Sequence, residues 1–105
     1  MKNMRRKLCF TFFFIFMISS ISYAHTLFMS VENNDDGTAV VTGIFSDGST
    51  SAGLEFRLED SNGKILLKDK MDQFGEYTFK IPEMPYFVII DGGPGHNVKE
   101  KGPNK

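Results

Sequence analysis

The stretch "LEFRLEDSNGKILLKDK", Leu54 to Lys70, decides the fold class of this 105-residue chain. In its first half, apolar Leu54, Phe56 and Leu58 alternate with charged residues. Successive side chains of a strand point to opposite faces of a sheet, so this alternation predicts a half-buried strand with one solvated face. The segment "DSNG" then supplies turn-forming residues before a second apolar run. The stretch therefore predicts two strands separated by a turn.

The same pattern recurs along the chain. Tyr77, Phe79 and Ile81 again alternate with polar residues, and no run of helical period follows residue 24. Six short runs are separated by residues typical of turns: "TLFMSVE", "TAVVTGIF", "LEFRLE", "KILLKDK", "EYTFKI" and "YFVIID". This spacing predicts an all-β antiparallel sandwich or barrel of about six or seven strands. We expect "AVV" and "FVII", apolar on both faces, to lie in central strands.

The first 24 residues have the three-part pattern of a secretory signal peptide. A positively charged head precedes the apolar run "LCFTFFFIFMI" and the small, polar segment "SSISYA". The apolar run is shorter than the roughly 20 residues that a membrane-spanning helix needs. We therefore predict a signal helix over 1–24 that is cleaved after Ala24. This predicts a periplasmic or secreted protein whose mature chain has no membrane span.

The predicted mature chain, 25–105, is acidic and lacks cysteine. Its eight bases and thirteen acids give a net charge of −5, and the single cysteine, Cys9, lies in the signal segment. An acidic surface does not favour nucleic acid as a partner. Without disulfides, stability must come from one small apolar core. We assign this core to a domain over 25–98. The charged tail 99–105, which contains Gly and Pro, is predicted to be flexible.

Only two histidines occur in the sequence. The alternation of strand direction along the chain, called strand parity here, predicts that they are neighbours. His25 becomes the first residue after cleavage, and His96 closes the glycine-rich segment "DGGPGH" after the sixth run. If every connection reverses the chain, the start of the first strand and the end of the sixth lie at one end of the domain. The loops carrying Asp47, Asp69 and Asp72 are expected at the same end.

A histidine at a free N-terminus can chelate a metal through its α-amine and its ring. The pKa of the amine is about 7.7–8.0 and that of imidazole about 6.5, so a divalent metal displaces both protons near neutral pH. With His96 as the third nitrogen donor, the arrangement suits Cu(II) or Ni(II). Asp91 could bind the metal directly, or it could hydrogen-bond to a ligand residue and orient it. Alternatively, its carboxylate could only form the turn. We predict His25, His96 and Asp91 as the metal residues; a solvated His96 is the alternative.

Three stretches resemble a known family: "AHTLFMSVE", "VVTGIFSDGSTSAGLEFRLEDSNGKILLKDKMDQFGEYTFKIP" and "VIIDGGPGH". They are similar to the small periplasmic L-type component of nickel and cobalt ECF-type uptake transporters. The resemblance implies an Ig-like or transthyretin-like, carboxypeptidase-regulatory-like sandwich, with nickel or cobalt held by His25 and His96. It also implies membrane transporter subunits as partners. Members often continue into a C-terminal transmembrane helix, and no apolar run of that kind follows Asp91 here.

Three functional classes remain to be distinguished. The first is an exported accessory protein that binds nickel or cobalt and assists its uptake by a membrane transporter. The second is a structural or interaction module without metal. A copper-binding periplasmic protein that uses an N-terminal histidine brace is a further alternative to the first class. The third class is an enzyme: some copper enzymes activate dioxygen with such a brace, but they have large substrate surfaces, for which 81 residues leave little room. We expect no enzymatic activity, because the sequence has no nucleophile–base set and no phosphate-binding loop.

Overall fold

The computed structural model describes residues 26–105. The predicted signal peptide and His25 lie outside this range. The described chain forms seven strands: β1 (Leu27–Asn33), β2 (Thr38–Phe45), β3 (Glu55–Asp60), β4 (Ile65–Lys70), β5 (Glu76–Lys80), β6 (Tyr86–Asp91) and β7 (Asn97–Lys101). Residues 26–105 contain no helix, so this part of the chain offers no helix that could span a membrane. The all-β prediction is confirmed.

The strands form two antiparallel sheets. The three-stranded sheet has the order β1-β2-β5, and the four-stranded sheet has the order β4-β3-β6-β7. β2 and β6 each have a neighbour on both sides, as predicted from the apolar faces of "AVV" and "FVII". An internal strand covered by the opposite sheet has little exposure to water, so apolar residues are favoured on it.

The core lies between the sheets and is centred on Phe56. This side chain is fully buried. Its ring stacks on Tyr77, with ring centroids 4.5 Å apart, and lies 5.6 Å from the ring of Phe79. Phe56 belongs to β3, whereas Tyr77 and Phe79 belong to β5 in the other sheet. The predicted alternation is therefore correct, because the apolar sets of both strands face each other across the sandwich.

The C-terminus differs from the predicted flexible tail. Strand β7 pairs with β6 from Asn97 to Lys101, and the Gly102 N–H donates to the Tyr86 carbonyl at 3.0 Å. Beyond it, the Tyr86 hydroxyl donates to Pro103 O at 2.8 Å. A charged sequence can form such a strand because ladder hydrogen bonds use only the backbone. Lysines are common on exposed edge strands, where they discourage pairing with other chains.

Replacing Tyr86 by Phe tests whether this tail is held in place. The substitution keeps the buried ring and removes only the hydroxyl that donates to Pro103 O. We expect a loss of about 0.5–1.5 kcal/mol in the free energy of unfolding, measured with urea. We also expect faster hydrogen exchange at the Gly102 amide. Unchanged exchange would mean that residues 102–103 are not anchored through this ring.

Candidate metal centre

The loops that follow β2 and β6 meet at one end of the domain. Phe45 and His96 form an edge-to-face ring pair with centroids 5.9 Å apart. Together with Asp47 and Ser49 they line a shallow concavity of about 270 Å³. The strand-parity prediction is therefore confirmed for these two loops. The end of β4 lies at the same end of the domain, because Glu55 at the start of β3 is opposite both Lys70 at the end of β4 and Asp91 at the end of β6.

The start of β1 is fixed to the same end. The Thr26 N–H donates to Ser46 Oγ at 2.9 Å, and the Ser46 N–H donates to the Thr26 carbonyl at 2.8 Å. Ser46 directly follows Phe45, whose ring contacts His96. His25, the residue before Thr26, lies outside the described range, so its pairing with His96 stays a prediction.

The glycine-rich loop presents His96 in a fixed backbone geometry. The Gly92 N–H donates to the His96 carbonyl at 3.0 Å, and the His96 N–H donates to the Gly93 carbonyl at 2.9 Å. Gly93 and Gly95 have φ values of 96° and 82°, a left-handed conformation that other residues rarely adopt. The glycines are thus needed to turn the chain between β6 and β7 and so to place His96.

One ring nitrogen of His96 has an unusual environment. Its Nδ1 is shielded from solvent and has no hydrogen-bond partner among residues 26–105. Most buried polar side-chain atoms in proteins do have a partner, so an unpaired nitrogen calls for an explanation. A metal ion is one partner that an imidazole nitrogen can take. This nitrogen is the observation in residues 26–105 that best fits a metal at this end of the domain.

Asp91 performs the turn-forming role that the sequence offered as the alternative to a ligand. Its Oδ1 accepts from the Gly93 N–H at 3.0 Å, and its Oδ2 accepts from Arg57 Nη1 at 3.2 Å. Arg57 also pairs with Glu55 and Glu59 of its own strand, which lie on the solvated face of β3. Asp91 is not among the residues that line the concavity with His96. Its assignment as a metal ligand stays a prediction.

The hydrogen bonds of Asp91 make its contribution to stability depend on pH. The Gly93 N–H, and after it Arg57, lowers the pKa of the Asp91 carboxyl below its ordinary value. A carboxyl whose pKa is lower in the folded state stabilises the fold above its unfolded pKa of about 3.9, and this contribution is lost as the pH falls through the lowered value. Asp91→Asn should therefore lose less stability than wild type between pH 7 and pH 3, measured from urea midpoints. Equal losses would contradict this.

Asp47 lies in the concavity beside His96, and the sequence did not single it out as a ligand. Its Oδ1 accepts from the Ser49 N–H at 2.9 Å and from Ser49 Oγ at 2.6 Å. The sequence "SDGS" is typical of a turn, and Asp47 does form one. Strand parity indicated its end of the domain, but not that its side chain shares a concavity with His96.

The backbone segments at Gly43, Ser51 and Gly75 lie close together and support the loop that follows β2. Ser51 is fully buried, and its hydroxyl donates to Gly75 O at 3.2 Å. The Ser51 N–H donates to Gly43 O at 3.0 Å, and the Gly43 N–H donates to Gly75 O at 2.9 Å. A Cβ on Gly43 would lie 2.7 Å from Ser51 Cβ and 2.8 Å from Ile90 Cδ1. Only glycine fits here without moving its neighbours.

Gly43→Ala tests this close approach. The added methyl group has no room between Ser51 and Ile90, so we expect a loss of about 1–3 kcal/mol in the free energy of unfolding. Urea denaturation measures it. Gly48→Ala is a useful comparison, because a Cβ there meets no atom within 4 Å and only the positive φ of 90° opposes it. A stability loss at Gly43 no larger than that at Gly48 would argue against crowding.

Residues 26–105 do not supply a complete metal site. Among them, no three His, Cys, Asp or Glu side chains converge in a way that could hold a metal ion. His96 and Asp47 are the two donors that share the concavity. A site at this end would need further donors from outside the described range.

No protein-family model matches the sequence, and neither the curated proteins nor the solved structures yield a significant match to this chain.

Proposed function

We propose that the mature chain is an exported protein that binds nickel or cobalt and assists its uptake by a membrane transporter. The observation that carries the proposal is the shielded, unpaired Nδ1 of His96 at the concavity beside the start of β1. The proposal includes cleavage after Ala24, export to the periplasm or outside the cell, and an Ig-like or transthyretin-like form of the sandwich. It includes no enzymatic step.

Covalent geometry supports His25 as the second donor residue. Thr26 is held to Ser46 by two hydrogen bonds, and consecutive Cα atoms are about 3.8 Å apart. The position of His25 is thus limited by a residue already anchored next to the His96 concavity. Cleavage after Ala24 would give His25 a free α-amine in addition to its ring.

The donor set determines which metals fit. An amine and two imidazoles are borderline donors that suit Ni(II), Co(II) and Cu(II), and affinity alone favours Cu(II). We propose nickel or cobalt as the cargo because of the resemblance to the L-type component of nickel and cobalt transporters. A copper-binding protein with a histidine brace would use the same donors, and metal titration distinguishes the two.

A second candidate is an interaction module without metal. Phe28 and Ile44 are direct cross-strand partners on the outer face of the three-stranded sheet, and they are 56% and 46% exposed. Adjacent exposed apolar side chains are typical of surfaces that contact a partner. The pair lies near the start of β1 and the end of β2, the end of the domain that carries the concavity. A partner docked there would be close to the site, so this feature also suits a transporter subunit.

Titration of correctly processed protein with Ni(II), Co(II) and Cu(II) tests the proposal. The sample must begin at His25 with a free amine, which mass spectrometry verifies. We expect 1:1 binding by calorimetry. His96→Ala, and separately an extra Ala before His25, should each weaken binding by at least about tenfold, because each removes a nitrogen donor or displaces the amine.

The interaction-module alternative predicts a different result. If this alternative is correct, calorimetry would detect no metal binding, or equal binding by wild type, His96→Ala and the Ala-extended protein. Thermal unfolding without metal controls for folding, because the two altered proteins should melt close to wild type. A mature N-terminus at any other residue would remove the amine from the site and contradict the proposal.

A further inference from the structure

We propose that the outer face of the three-stranded sheet is a docking surface for a positively charged, partly apolar segment of another protein. The outward side chains of this face include Phe28 and Glu32 of β1, Val40 and Ile44 of β2, and Glu76 and Lys80 of β5. The inference is independent of the proposed metal site, because it uses none of the residues that line the concavity.

The outer face of the four-stranded sheet is covered by its own charged side chains. Ile89 has Arg57 and Lys99 as its cross-strand neighbours and is only 2% exposed. Lys99 Nζ also lies 4.8 Å from the centre of the Phe87 ring. Glu59 forms salt bridges with both Arg57 and Lys99, which holds the two cations in place. The apolar side chains of this face are therefore shielded from water without a partner.

The outer face of the three-stranded sheet has no such cover. Phe28 and Ile44 are cross-strand partners and remain half-exposed. Glu32 lies opposite Val40, which is partly exposed. Within the described range 26–105, no salt bridge involves an outward side chain of β1, β2 or β5. Both the apolar and the charged groups of this face are thus open to another molecule.

A third exposed apolar side chain lies at the same end of this sheet as Phe28. Phe74 is 65% exposed and directly precedes Gly75. The Gly75 carbonyl accepts from the Gly43 N–H at 2.9 Å, and Gly43 directly precedes Ile44. Single exposed apolar residues are ordinary on protein surfaces. Several at one end of one sheet are typical of a surface that contacts a partner.

The two sheets also differ in charge. Segment 55–70 has four acids and four bases, and segment 86–101 has two of each, so the four-stranded sheet is neutral overall. Segment 27–45, which contains β1, β2 and their turn, has three acids and no base. In β5 one acid and one base cancel, so the three-stranded sheet carries a net charge of −3. The open apolar face is therefore also the acidic one.

This charge discriminates between the partners that an exposed apolar face could have. A second copy of the chain would bring two negatively charged faces together, and an anionic lipid surface would also repel the face. A protein segment that carries lysine or arginine beside aromatic or aliphatic residues would be attracted, and it would bury Phe28 and Ile44. The surface therefore fits a basic protein segment.

A soluble peptide of alternating lysine and leucine is a suitable probe, used with ¹⁵N-labelled processed protein, residues 25–105. We expect the largest amide chemical-shift changes in β1 and β2 and small changes in β3 and β6, because only the first pair presents open apolar and acidic groups. A peptide with glutamate in place of lysine should not bind, since its charge has the same sign as that of the face.

Phe28→Thr and Glu32→Gln test the apolar and the charged part of the face. Threonine suits a strand, and we expect it to lower peptide affinity by about fivefold or more. Ile65→Thr is the matched control, because Ile65 is 49% exposed on β4 of the other sheet. Glu32→Gln should weaken binding more than Glu100→Gln, which removes the same charge from β7. Thermal unfolding checks that all four variants fold.

Other outcomes would overturn the inference. These are no binding of the lysine peptide, equal binding of the glutamate peptide, shift changes spread over both sheets, or equal losses in Phe28→Thr and Ile65→Thr. Sedimentation with phosphatidylglycerol vesicles that Phe28→Thr abolishes would indicate a membrane surface instead. A concentration-dependent dimer that the same variant abolishes would indicate a second copy. Phe28→Thr should bind metal as wild type does, so this inference and the proposed function can fail separately.

Discussion

The packing of Phe56 against Tyr77 and Phe79 is the contact on which the rest of the domain depends. It joins the two sheets at the centre of a core that no disulfide supports, since the only cysteine, Cys9, precedes the described residues. Tyr77 also connects this packing to the end of β4, because its ring stacks on Phe56 and its hydroxyl donates to Asp69. Loss of this packing would free the loops from the scaffold that brings them together.

The candidate site has a part that the fold fixes and a second part that, under the proposed function, comes from processing of the chain. His96 is fixed by its loop, and the loop after β2 is fixed by the close approach of Gly43, Ser51 and Gly75. The remaining donors are proposed to come from the residue before Thr26, after cleavage. Such an arrangement would leave the precursor with a weaker site than the mature protein, because the α-amine forms only on cleavage.

Local patterns were sufficient to predict most of the fold. Alternation located β3 and β5, and apolar character on both faces identified β2 and β6 as central strands. β7 was missed because its sequence, "NVKEK", has the composition of a solvated tail. Its strand conformation comes from backbone pairing with β6, which composition does not reveal. Ser51 was missed for a similar reason, since a small polar residue in a loop gives no sign that it is buried.

The sequence predicted the end of the domain where the concavity lies, but not which side chains line it. Strand parity predicts which end of the domain a loop occupies, and it correctly predicted that the loops of Asp47 and His96 lie at the same end. It does not state which face a side chain takes. Asp91 ends β6 with its carboxylate toward Arg57, whereas Asp47 lies in a turn beside the ring of Phe45. Both aspartates occur next to glycine, so the sequence alone could not separate them.

The anchored C-terminus has a practical consequence for handling the protein. Asn104 O accepts from the Asn33 side chain, and Asn33 ends β1. The seven residues of β1 separate that point from Thr26 by about 23 Å at 3.3 Å per residue. Lys105 therefore lies at the end of the domain opposite His96, and a fluorophore, affinity tag or surface linkage attached there would be far from the concavity. The same attachment upstream of Thr26 would crowd the concavity.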